Sequence, residues 1–199
     1  MFWHRPRERE EAAIYERALC AFHSSLARSL PAGMIASASY RAAELPWDGD
    51  GAAVSAPAYE DWYLVEDFAA LGVLGEAAVG RGHRTSHDDA AQRSGGGAGG
   101  LYALLEGEAC ARSLGEATLA VWVVRPPQRS VESRRREFAE LMGDGMEPHS
   151  STLWRRQLVL GPAPEFCVLA RETPPGVSAA RLPSGWSVSV QSREVMWSG

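Results

Sequence analysis

The chain has 199 residues, 45% of them hydrophobic and 23% charged, a balance that places it among globular proteins able to bury a core in one large domain or two small ones. Its net charge of −5 argues against a nucleic-acid backbone or an anionic membrane as the main partner, because both draw on clustered positive charge. No apolar run approaches the roughly 18–20 residues needed to span a bilayer, so a membrane protein is not expected.

All 20 basic residues are arginine, and asparagine is absent as well as lysine. Both missing residues use A-rich codons, so the bias points to a GC-rich bacterial genome and says nothing about phosphate binding. Cys20, Cys110 and Cys167 are odd in number and lack CxxC spacing, and no basic, apolar leader precedes them. The expected setting is the reducing cytoplasm.

In chain order, Met1–Pro6 reads as a short strand closed by proline, and Arg7–Glu11 opens a helix. Tyr15, Leu19, Phe22 and Leu26 follow at spacings of four, three and four, which puts them on one face of that helix. The helix ends before Pro31. Met34–Leu45 alternates as a strand, and residues 59–67, YEDWYLVED, form a second hairpin arm. Asp67 is placed to cap a helix carrying Phe68, Leu71 and Leu74. Ser86 with Asp89 reads as a capping box for a further short helix. The run SGGGAGG, residues 94–100, reads as a linker or lid before a strand at Leu101–Leu105. It lacks the GK[ST] ending of a phosphate-binding loop and precedes a strand instead of following one.

The rest of the chain repeats this order. Thr118–Val124 is strongly β-prone, and Ser130 caps a helix holding Val131, Phe138, Leu141 and Met142. Thr152–Leu160 reads as a strand. Residues 164–172, PEFCVLARE, echo the earlier YEDWYLVED segment and form another strand. A weak turn at 177–182 leads to a last strand at Trp186–Val190. Three local likenesses run in the same order: Arg5-Pro6 with Arg125-Pro126, Tyr40-Arg41 with Trp154-Arg155, and the echoed strand itself. Together they indicate an internal duplication, with units at 1–112 and 113–199.

Side chains alternate across a strand, so Glu60, Trp62, Leu64 and Glu66 share one face and Asp61, Tyr63 and Val65 the other. Both faces are apolar in the middle, and the echo repeats this with Cys167 and Leu169 against Phe166, Val168 and Ala170. A sheet wet on one side would alternate more cleanly. Helices cover only one face, so the sheet of the other half is expected to cover the second.

This α+β order, twice over, resembles the dimeric α/β-barrel superfamily in its tandem form. The resemblance implies two ferredoxin-like βαββαβ units whose antiparallel sheets pack face to face as a barrel. That superfamily includes cofactor-free monooxygenases, haem proteins of the chlorite dismutase type and muconolactone-isomerase-like enzymes. None of their catalytic motifs maps onto this chain, so the resemblance leaves the activity open.

The space between the sheets is the expected pocket, for a small apolar or aromatic organic molecule. Its candidate ligand-binding residues are Tyr40, Trp62, Trp122, Trp154 and Arg155, with the Trp62 face turned inward. His4 and Glu60 are the candidates for acid-base work if either is enclosed. The metal reading rests on His83, His87 and Asp88, with His149 as a further histidine, but Ser86 as a cap would put the two leading histidines on opposite sides of a helix boundary. No cofactor is favoured. The other readings are a cofactor-free oxygenase or isomerase-like enzyme, a haem or metal protein, and a non-catalytic assembly partner; a homo-oligomer is compatible with each.

Overall fold

The structure, a computed structural model, describes residues 1–45, 47, 57–80, 82–124, 151–159, 164–174 and 185–199. Among them run β1 (Phe2–Pro6), α1 (Ala12–Arg28), β2 (Met34–Ala42), β3 (Ala58–Val65), α2 (Phe68–Gly80), α3 (Arg84–Arg93), β4 (Ser94–Glu106), α4 (Ala111–Glu116), β5 (Leu119–Val124), β6 (Ser151–Val159), β7 (Phe166–Ala170) and β8 (Ser187–Ser198). The eight strands close into an antiparallel barrel in the order β1-β3-β2-β8-β5-β7-β6-β4. The helix expected at 131–142, the turn at 177–182 and His149 lie outside the described residues.

The first four strands stand in the order β4-β1-β3-β2 and the last four in the order β8-β5-β7-β6. β3 and β7, which carry the echoed segment, therefore hold corresponding positions. The two long strands join the halves. β4 pairs with β1 up to Gly99 and with β6 from Gly100 onward. β8 pairs with β5 over Ser187–Ser192 and with β2 over Arg193–Ser198.

Alternation along each strand separates two cores. Trp3, Tyr40, Trp62, Trp122, Trp154, Cys167 and Leu169 meet inside the barrel. Val121, Leu153, Phe166, Val168 and Ala170 form a second cluster on the opposite face of β5, β6 and β7. On the outer side of the first sheet, Tyr15 and Leu19 of α1 pack on Tyr59, while Phe22 and Leu26 pack on Met34 and Leu74 of α2. These are the four α1 positions that the helical spacing selects. The inward direction of Trp62 likewise agrees with the reading of the strand.

Several local expectations are corrected. The glycine run is the first half of β4, not a linker. Its missing side chains let β1 lie close, because a Cβ at Gly97 would overlap the Trp3 carbonyl oxygen and the Phe2 ring. α1 starts at Ala12, since Arg9 takes φ 69° and a turn occupies the residues before it. His83, not Ser86, stands at the N-cap of α3, and the Ser86 hydroxyl donates to the His83 carbonyl at 2.9 Å. Asp67 does cap α2: its Oδ1 accepts from the Ala70 amide at 2.8 Å. β8 runs eight residues past Val190, and α4 had no counterpart in the sequence reading.

Candidate functional site

β1 is short. Its pairing with β3 ends at Phe2↔Asp61, whereas β3 continues to Val65 and β4, already turned toward β6, continues to Glu106. The two longer strands thus leave a gap between them. A cavity of about 720 Å³ opens there, with Trp62, Leu64, Tyr102 and Trp154 among its walls and Ile35, Phe68, Leu104 and Leu158 toward the surface. Those last four are exposed, Phe68 by 73%, so the rim has a large apolar part, with Glu66, Asp67 and Gln157 exposed beside it.

The aromatic wall is continuous. The Trp62 ring lies 5.2 Å from Trp154 and 6.1 Å from Tyr102, centroid to centroid. The polar tip of each ring is used within the protein. Trp62 Nε1 donates to Glu60 Oε1 at 2.6 Å, Trp154 Nε1 to Thr152 Oγ1 at 2.7 Å, and the Tyr102 hydroxyl to the Pro164 carbonyl at 2.6 Å. What is left for an occupant is apolar ring surface, the kind of surface that ligand pockets favour. The charged side chains on the lining are Glu66 and Asp67. The α-amino group of Met1, also on the lining, donates to the Gly100 carbonyl at 2.9 Å, and burial lowers its pKa to about 6.

Of the five candidate ligand residues, Trp62 and Trp154 line this cavity. Tyr40 and Trp122 lie deeper in the barrel and are engaged there: the Tyr40 hydroxyl donates to the Leu114 carbonyl at 2.7 Å and Trp122 Nε1 to Gln191 Oε1 at 2.7 Å. Arg155 pairs across the strands with Phe166, which belongs to the outer cluster, so it faces away from the interior. Tyr102 was missed because the strand that carries it follows a glycine run and is shifted by a bulge.

Behind Trp62 lies a buried ion pair. Glu60 and Arg193 are both 0% exposed, and Arg193 Nη1 donates to Glu60 Oε1. Arg193 Nη2 donates to the Ala117 carbonyl at 2.6 Å, and the guanidinium sits 3.9 Å from the centre of the Tyr40 ring.

His4 belongs to a different network, on the outer side of the same sheet. Its Nε2 lies 3.1 Å from Asp61 Oδ2, and His23 Nε2 lies 3.3 Å from Asp61 Oδ1. The Tyr15 hydroxyl is 2.6 Å from His4 Nδ1, the Ser37 hydroxyl is 2.8 Å from His23 Nδ1, and the Tyr63 hydroxyl donates to Asp61 Oδ2 at 3.2 Å. Burial pushes the Asp61 carboxyl up, but the attraction of His4 and His23 and their hydrogen bonds outweighs it, leaving the pKa well below the usual carboxylate range. Ser37, His23 and Asp61 stand in the order of a hydrolase relay. Ser37 is 0% exposed, however, and it is not on the cavity lining, so no substrate reaches it in this arrangement.

The metal candidates do not converge. His83 is buried between helices, with Nδ1 2.6 Å from the Ser25 hydroxyl and Nε2 3.1 Å from the Ser29 carbonyl. His87 Nδ1 lies 3.1 Å from Asp88 Oδ1. Among the described residues, no three of His, Cys, Asp or Glu are grouped as a metal requires. No helix there is long and apolar enough to cross a membrane.

The chain is thus an α+β protein built on a closed eight-stranded antiparallel barrel, with an aromatic-walled cavity at the edge of the barrel. Comparison with protein-family models finds no match, and comparison with curated proteins and with solved structures finds none either.

Proposed function

We propose that the protein binds a small apolar or aromatic organic molecule in the cavity between β3, β4 and β6. The observation that carries this reading is the wall of Trp62, Tyr102 and Trp154, open to solvent past a largely apolar rim and enclosing about 720 Å³. That volume falls within the roughly 300–1,000 Å³ of small-molecule sites. His4 and Glu60 are not on the lining, so the reading is of binding and includes no reaction step. Titration with the neutral dye Nile red tests it. A saturable signal at one dye per chain, abolished in a folded Ala109→Trp variant because Ala109 lines the cavity and packs against the interior cluster, is the expected result; no saturable binding overturns the reading.

We also read the barrel as two fused ferredoxin-like units, at about 1–112 and 113–199, of the dimeric α/β-barrel kind. The matching strand orders in the two halves support this, as do Trp3 and Trp122, which stand on the corresponding strands β1 and β5 with ring centroids 5.6 Å apart.

A further inference from the structure

Among the described residues, the charged side chains on the cavity lining are of one sign. Glu66 closes β3 and Asp67 begins the turn into α2, and both lie on the lining; among the described residues no arginine lines the cavity with them. Arg156 stands across the strands from Tyr102 and its charge reaches the Tyr102 hydroxyl, but its side chain is exposed and not on the lining. The Met1 amino group is engaged by the Gly100 carbonyl and, with its pKa near 6, is largely uncharged at pH 8. The N-terminus of α2 would favour an anion, but it already has one in Asp67, whose Oδ1 accepts from the Ala70 amide. An anionic ligand would therefore meet two carboxylates and the negative faces of aromatic rings. A cation would be attracted by both.

We propose that the occupant of the cavity is an apolar or aromatic amine, bound as its ammonium with the charge near Glu66 and Asp67 and the apolar body against Trp62 and Trp154. This rests on the ligand-binding reading above and adds the chemical class. Carboxylates and phosphates of the same size are rejected by the same two acidic groups.

Three probes that share one ring system test it: 2-ethylnaphthalene, 2-(2-naphthyl)ethylamine and 3-(2-naphthyl)propionate, titrated at pH 8 and low salt with tryptophan fluorescence as readout. The expected order is amine, then neutral probe, then carboxylate, with the amine about five-fold tighter than the neutral compound, as one partly exposed charge contact allows. In the double variant Glu66→Gln/Asp67→Asn the amine and neutral probes should bind equally, and the asparagine side chain still serves as a helix cap. Equal binding of all three probes to the unaltered protein overturns the amine assignment and leaves the ligand-binding reading standing. Binding of none overturns both. Binding of the amine to a folded Ala109→Trp variant would place the attraction on the surface and also overturn the assignment.

Discussion

The barrel has two corresponding gaps, and among the described residues only one is filled. In the first half the gap lies where β1 stops between β3 and β4; in the second it lies where β5 starts at Leu119, between β7 and β8. There α4 packs against β2 and β8 and drives Leu114 and Ala117 into the interior cluster. Its last turn also supplies carbonyl oxygens to Tyr40 and Arg193. What remains is a polar depression lined by Gly115, Glu116, Thr118, Arg171 and Glu172. The same topology thus gives a sealed, internally bonded end and an open, aromatic one. The open cavity is not a property of the barrel as such; it depends on which gap has a helix in it.

The sealed end should break hardest at its ion pair. Arg193→Met leaves Glu60 buried without its cation, and the expected loss is about 3–5 kcal/mol in urea unfolding. Adding Glu60→Leu should return much of it, because the penalty is that of an unpaired charge. Leu114→Ala comes next. It removes a fully buried side chain from the plug and should cost about 2–4 kcal/mol, with little effect on probe binding at the opposite gap.

Glu60 and Asp61 are neighbours on β3 and enter different cores, one paired with a guanidinium and the other set against two imidazoles and a phenol. Asp61→Asn removes the anion and is expected to cost about 1–3 kcal/mol at pH 7. The pH dependence follows from the sign of the shift. The folded carboxyl has a lowered pKa, so the unfolded chain binds more protons near pH 4 and below, and the stability due to Asp61 is full above that region. The gap between wild type and Asp61→Asn, followed by denaturant midpoints, should narrow as pH falls from about 5 toward 2. A gap that widens would reject the charge assignment.

The aspects of the fold that follow from periodicity were readable in the sequence. The four apolar positions of α1 and the two-faced character of β3 come from spacing alone, whereas the inward turn of Trp62 comes from its echo, where the small Val168 and Ala170 occupy the other face. The open end was not. Its existence depends on β1 being shorter than its neighbours and on β4 leaving it for β6, which is a matter of pairing between segments far apart in the chain. Arg193 was missed because QSREVMWS breaks the apolar pattern, and the strand reading stopped at Val190. Its charge is buried only because Glu60, far away in sequence, faces it. The glycine run misled for a related reason: absent side chains look like flexibility, but here they are room for Trp3 and Phe2. His4, His23 and Asp61 each look ordinary in the chain, and only the packing of α1 on the sheet gathers them.

The smallest expected change separates the two gaps most directly. Ala109 lines the open cavity and is only half-buried, so the indole of Ala109→Trp has space and should alter the unfolding free energy by less than about 1 kcal/mol. Ala117, 2% exposed within the plug, has none, and Ala117→Leu should cost about 1–3 kcal/mol through overpacking. If the two variants lose the same stability, the first gap is as tightly packed as the second and the distinction between them fails. If Ala109→Trp is well tolerated and also excludes Nile red, the space is real, reachable from solvent and used by the dye.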